Sequence, residues 1–187
     1  MLNLLDSFQQ LKGFPLAKFR VIQSDSDFAS LSFPCWLKAS ISEHKTEFSA
    51  VKKCANLEQA KTNFKEMRKK FRESIIAQEQ VEGIEMIIGI KEDAAFGKLL
   101  MIGFGGIFTE IVKDISFRVL PVDRKEIETS LKELKLYPAL VSRKKFAVDK
   151  FISLAEKISK LPVREADFNP VILTESSAVI VDSRLEL

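Results

Sequence analysis

Long apolar runs are missing from this 187-residue chain. The most extended, residues 99–108, is about half the roughly 20 residues a helix needs to span a bilayer. Met1-Leu2-Asn3 lacks the basic start of a secretory signal, so the expectation is a soluble, cytoplasmic protein with no membrane partner. Cysteine is scarce: Cys35 and Cys54 have no Cys-x-x-Cys or Cys/His cluster around them, which favours buried, reduced thiols over a disulfide or a zinc site. A large excess of one charge is also missing. The net charge of +3 does not demand a nucleic-acid partner, and no internal repeat, low-complexity tract or flexible linker stands out.

What is present is a 46% hydrophobic composition, enough for one core or for two small lobes sharing a cleft. Leu57, Ala60, Phe64, Met67 and Phe71 recur at spacings of three and four, predicting a helix over 57–71 capped by Asn56. Asp123 with Glu126 three later opens a second helix through a capping box, and Phe151, Leu154, Ala155 and Ile158 mark a third. Strand character covers 19–22, 35–40, 48–54, 75–81, 85–91, 99–104 and 107–120. Links such as Glu82-Gly83-Ile84 are too short for a crossover helix, so the strands they join are expected to form antiparallel hairpins. The class is α+β.

Six of the seven glycines fall between Gly83 and Gly106, densest at Gly103-Phe104-Gly105-Gly106. That strand end suits close approach of backbone to a nucleotide, and it suits a bulge or tight hairpin equally. The basic run Arg68-Lys69-Lys70-Phe71-Arg72 has no accompanying array of stacking aromatics, so a solvated helix face is preferred to a grip on RNA or DNA.

The C-terminal stretch carries more geometry. Two apolar segments, 167–173 and 178–184, flank the polar tetrapeptide Thr174-Glu175-Ser176-Ser177, which reads as a hairpin loop. Folded symmetrically, the hairpin puts Asn169 across from Asp182 and Asp167 across from Arg184, all on one face. Alternation then sends Phe168, Pro170, Ile172, Val179 and Val181 to the core. Opposed Cβ atoms lie about 4.5–5.5 Å apart, so the Asn169 amide oxygen and the Asp182 carboxylate can share a hard cation whose octahedral shell bound phosphates complete, as magnesium requires. A solvent-facing hairpin with an Asp167–Arg184 surface pair fits the spacing as well.

In order along the chain, Gly13-Phe14-Pro15, Phe33-Pro34-Cys35-Trp36-Leu37-Lys38 and His44-Lys45-Thr46-Glu47 precede Gln78-Glu79, Gly83, Glu85 and Ile87-Ile88-Gly89. Phe96-Gly97, Gly103 to Gly106, Glu110, Asp114, Arg118, Pro121, Asp167-Phe168-Asn169-Pro170 and Val181-Asp182-Ser183-Arg184 follow. This succession resembles, over nearly the whole chain, the β subunit of the ADP-forming acetyl-CoA synthetases, ATP-grasp relatives of succinate–CoA ligase. The resemblance implies two interlocked lobes, 1–74 and 75–187, with mainly antiparallel sheets and a nucleotide cleft between them. It implies an acid–thiol ligase that works only with a CoA-binding α subunit, as an α2β2 heterotetramer, and moves a phosphoryl group from phosphohistidine to ADP.

By the same resemblance His44, the single histidine, relays the phosphoryl group; judged without it, a lone histidine between Glu43 and Lys45 reads as a surface residue. Lys38, Ser49, Ala50, Glu79, Val81, Glu85 and Glu110 are implied nucleotide contacts, Glu79 and Val81 through hinge backbone groups, and Asn169 and Asp182 hold magnesium on ATP or ADP. Two departures are visible: Ser49-Ala50 stands where the family has paired glycines, and Arg143-Lys144 where it has Arg-Gly. A non-catalytic, nucleotide-binding regulatory subunit of the same complex is the alternative those departures suggest.

Overall fold

The structure, a computed structural model, describes residues 1–41, 49–106, 113–142 and 145–187. Met1–Lys12 with Ala17–Val81 forms one unit, and Gly13–Leu16 with Glu82–Leu187 the other. The first contains helix α1 (Leu4–Gln10), strand β1 (Phe19–Ile22), a 3-10 turn at Asp25–Ser30, strands β2 (Cys35–Ala39) and β3 (Val51–Cys54), helix α2 (Leu57–Lys70) and strand β4 (Ile75–Glu79). Its antiparallel sheet runs β1-β4-β2-β3.

Asn56 starts α2 because its side-chain oxygen accepts from the Gln59 N–H at 3.0 Å, satisfying a donor the helix itself leaves open. The stripe Ala60, Phe64 and Met67 is buried and joins Cys35, Leu37 and Ile75 in the core of this unit. Each large side chain so buried contributes about 1.5–3 kcal/mol. Leu57, counted in that stripe from spacing, is 42% exposed, as it is the first helical residue. On the opposite face Arg68, Lys69 and Lys70 are solvated, as the spacing predicts. Cys35 and Cys54 are directly opposed on β2 and β3, buried and free. Burial first, and the neighbouring thiol second, push Cys35 up to about 11, which keeps it protonated at neutral pH.

The second unit contains β5 (Ile84–Asp93), β6 (Gly97–Phe104), β7 (Ile115–Val119), α3 (Arg124–Lys132), α4 (Tyr137–Val141), α5 (Val148–Ser159), β8 (Glu165–Leu173), β9 (Ala178–Ile180) and β10 (Arg184–Glu186). Its sheet runs β10-β8-β5-β6-β7, with β9 also paired to β8, and every pair is antiparallel. Helices α3 and α5 pack on each other and on one face of this sheet, over Met86, Ile88, Leu100, Ile102, Phe168 and Val171, each no more than 1% exposed. The capping box of α3 is present in both directions: Glu126 N–H donates to Asp123 at 2.8 Å and Asp123 N–H to Glu126 at 2.9 Å. Ser130, bonded to Ser116 at 2.9 Å, ties α3 to β7.

Two expectations change. The link Glu82-Gly83-Ile84 does not close a hairpin: both edges of β4 are occupied by β1 and β2, and both edges of β5 by β6 and β8, so the chain passes here from one sheet to the other. The division between units therefore falls after Val81, later than the boundary after Ser74 expected from sequence, because β4 is an interior strand of the first sheet. Among the described residues no helix is long and apolar enough to cross a membrane.

Candidate functional site

The C-terminal strands keep the expected register. Arg184 lies opposite Asp167, Ile180 opposite Val171, and Val181 N–H donates to Pro170 O at 3.2 Å. The same count holds on both sides of the break at residues 181–183, so Asn169 faces Asp182 across it. Asn169 is exposed and Asp182 half-buried.

The faces differ from simple alternation. Against β5, Val171 pairs with Met86 but Phe168 pairs with Ile88, so Asn169 and Pro170 together oppose Ile87. This bulge shifts the phase: Phe168 and Val171, three apart, share the helix-covered face, and Ile180 is buried there, while Pro170, Val179 and Val181 are only half-buried. Asp167 and Arg184 remain on the opposite face, since their neighbours Ala166 and Leu185, 4% and 1% exposed, point to the helices. One carboxylate and one amide oxygen, set at a strand interruption, match magnesium, which takes one or two protein oxygens and leaves its other positions to phosphate and water.

Glu85 belongs to the same sheet, on β5. Its carbonyl accepts from the Gly105 N–H at 2.7 Å, and its carboxylate lies where a Cβ on Gly106, at φ +61°, would collide with it. The room left by Gly106 is thus occupied by Glu85, a pairing that spacing did not reveal. Gly103 is required by β7: a Cβ there would meet Asp114 O at 2.7 Å.

The remaining candidates in the described residues lie on the four-stranded sheet. Lys38 on β2 is 7% exposed and opposes Ile76, while Trp36, two residues before it, opposes Gln78. Lys38, Trp36, Ile76 and Gln78 therefore share the face away from α2. Gln78 stands in the family succession without a contact of its own assigned to it, and its signal is a polar residue after the apolar Ile75-Ile76-Ala77. It is 2% exposed, and its Nε2 has no hydrogen-bond partner among the described residues. Ala50 is buried in the core, and its carbonyl accepts from the Ala39 N–H at 2.8 Å; Ser49 precedes it, half-buried. Glu79 has its N–H committed to Lys18 O at 3.0 Å and its carboxylate to the Lys18 N–H at 3.0 Å, so of its two backbone groups the N–H is already used. Val81 follows outside the strand. His44 and Glu110 lie outside the described residues.

Two residues of the family succession prove structural. Arg118 bonds Glu133 of the segment after α3 at 2.7 Å, and that guanidinium holds the Glu133 carboxyl below its ordinary range. Asp114, 4% exposed, accepts from Lys135 N–H at 2.8 Å and Leu136 N–H at 2.9 Å, fixing the entry to α4. Asp114→Ala strands both donors, so a loss of about 2–4 kcal/mol is expected, measured by urea melts; a loss under about 1 kcal/mol would rule out this anchoring.

Comparison with known proteins identifies the family of the fold. The ATP-grasp domain profile matches residues 8–187. The chain is 30% identical over 202 residues to the acetate–CoA ligase [ADP-forming] I subunit beta of Pyrococcus furiosus, covering 95% of this chain and 87% of that one. It is 38% identical over 120 residues to acetate–CoA ligase [ADP-forming] II of Archaeoglobus fulgidus, of which it spans only 18%. The crystal structure of PH1788 from Pyrococcus horikoshii superposes with a TM-score of 0.87 at 29% identity, covering 100% of this chain and 91% of that one. An acetyl-coenzyme A synthetase of Ca. Korarchaeum cryptofilum, in complex with coenzyme A and Mg-AMPPCP, gives 0.78 at 26%, covering 97% and 89%. With its two antiparallel sheets, its facing Asn169 and Asp182 and a match along almost its full length, the chain belongs to the ATP-grasp family, in the group that includes the ADP-forming acetate–CoA ligase β subunits.

Proposed function

We propose that this chain is the nucleotide-binding β component of an ADP-forming acyl-CoA synthetase. It works in the cytoplasm with a CoA-binding α subunit, as an α2β2 assembly, and passes a phosphoryl group from phosphohistidine to ADP while acyl-CoA becomes the free acid. The observation that carries this reading is the register holding Asn169 opposite Asp182 across the strand break. Magnesium held there would neutralise phosphate charge during transfer. Lys38 would take further phosphate charge, Glu85 and Glu110 would contact the nucleotide, and Glu79 and Val81 would meet the base through hinge backbone groups, Glu79 by its carbonyl because its N–H is bonded to Lys18. Ser49 and Ala50 would lie along the phosphates, and His44 would relay the phosphoryl group. The relatives support the chemistry: one is named an ADP-forming acetate–CoA ligase β subunit, and the Korarchaeum structure combines Mg-AMPPCP with a phosphohistidine segment pointing towards its nucleotide site.

The test has two stages. Calorimetry with magnesium-ADP is expected to show one site per chain, and no binding would end the proposal. Adding the copurified α partner with acyl-CoA, phosphate and ADP is expected to yield ATP. Binding without turnover would identify a regulatory subunit instead.

A further inference from the structure

Among the charged pairs on the same sheet, one lies beside the proposed metal ligands. Arg184 opens β10 directly opposite Asp167 of β8, and Asp167 is opposed on its other side by Gly89, which contributes no side chain. Both charged residues are half-buried and sit on the face away from α3 and α5. Arg184 comes two residues after Asp182, and Asp167 two before Asn169. Two residues of strand span about 7 Å, so the pair forms the row next to the magnesium ligands, within reach of a long arginine side chain.

An ion pair at a partly solvated sheet position adds little to stability, which gives no reason for an arginine to stand beside a phosphate site. Its chemistry gives one. A guanidinium stays protonated, presents donors in a rigid fork, and matches two oxygens of a phosphoryl group, whereas the proposed magnesium ligands offer only oxygens. A phosphoryl group in transit spreads charge over its equatorial oxygens and needs positioned cations more than any covalent help. We infer that Arg184 binds the terminal phosphoryl group of the nucleotide, the group being transferred, and that Asp167 is a positioning residue holding the guanidinium. This rests on the proposed function above.

Calorimetry on the whole chain separates the two ideas, with magnesium-ADP and magnesium β,γ-methylene-ATP as probes. Arg184→Met is expected to weaken the triphosphate analogue by about 10- to 100-fold, the worth of a charge-assisted bidentate contact, while ADP stays within about 2-fold. Arg184→Lys should lose part of that preference and serves as the readout if the methionine variant does not fold. Asp167→Asn should show the same bias, smaller in size. Equal losses for both nucleotides, or none, in the Arg184 variants would overturn the inference while leaving the proposed function standing. Failure of the unsubstituted chain to bind magnesium-ADP would remove both.

Discussion

Asp182→Ala is expected to weaken magnesium-dependent nucleotide binding by at least about a hundredfold and to stop ATP formation, because even groups one shell behind a metal ligand cost roughly 10–100-fold. Asp182 supplies the only carboxylate of the candidate pair, and the Asn169 amide oxygen opposite it carries no net charge. Removing the acid leaves a cation whose charge is balanced by phosphate alone. Folding should change little: Asp182 lies half-buried in the break between β9 and β10, outside the apolar core. Titration of nucleotide affinity against magnesium, with thermal melting as the control, reads both quantities. Asn169→Ala should act in the same direction with a smaller effect. A variant lacking Asp182 that keeps its full magnesium dependence would place the cation elsewhere.

The register behind this expectation was legible because a hairpin counts outward from its own loop. Thr174 to Ser177 fixed the centre, and the observed Arg184–Asp167 pairing follows from it. Local signals served the helices equally well: Asn56 caps α2, and Asp123 with Glu126 closes both bonds of its box. Helix α1 was missed although its signals are present, an Asn3 side chain accepting from Asp6 N–H at 2.9 Å and apolar Leu4, Phe8 and Leu11 on one stripe. Helix α4 has only five residues, too few to show a period.

Elsewhere the deciding information lay in a distant strand. Pro170 has no N–H for a ladder bond, a local sign of irregularity, but that Asn169 and Pro170 together oppose Ile87 depends on β5, more than eighty positions earlier. Until that bulge is known, alternation sends Pro170 rather than Val171 into the core. The supposed β4–β5 hairpin failed for the same reason: a three-residue link limits distance, but the vacancy of a strand edge is decided by β1, β2, β6 and β8. The glycine run was ambiguous in sequence because a close approach can be to ligand or to protein, and at Gly106 the neighbour is the Glu85 carboxylate. Site residues were therefore most legible where they sit within one hairpin and least so where two segments meet.

His44→Ala, in contrast to Asp182→Ala, is expected to leave magnesium-ADP binding intact while acyl-CoA-dependent ATP formation falls below about 1% of the unsubstituted level, as expected when a nucleophile is removed outright. Imidazole suits a relay because it is a nucleophile at neutral pH and a good leaving group once phosphorylated: its nitrogen–phosphorus bond breaks as the bond to an ADP oxygen forms. The composition makes this assignment unusually clean. The chain has a single histidine, so a phosphoryl group found on it after incubation with the α partner, acyl-CoA and phosphate, and shown by its phosphorus chemical shift to be a phosphohistidine, can belong only to His44. Phosphorus NMR of the separated chain should show that species in the unsubstituted protein, lose it in His44→Ala, and lose it on addition of magnesium-ADP as ATP appears. Full ATP formation by His44→Ala would mean that the partner's phosphohistidine delivers directly to ADP, leaving this chain to bind and orient the acceptor.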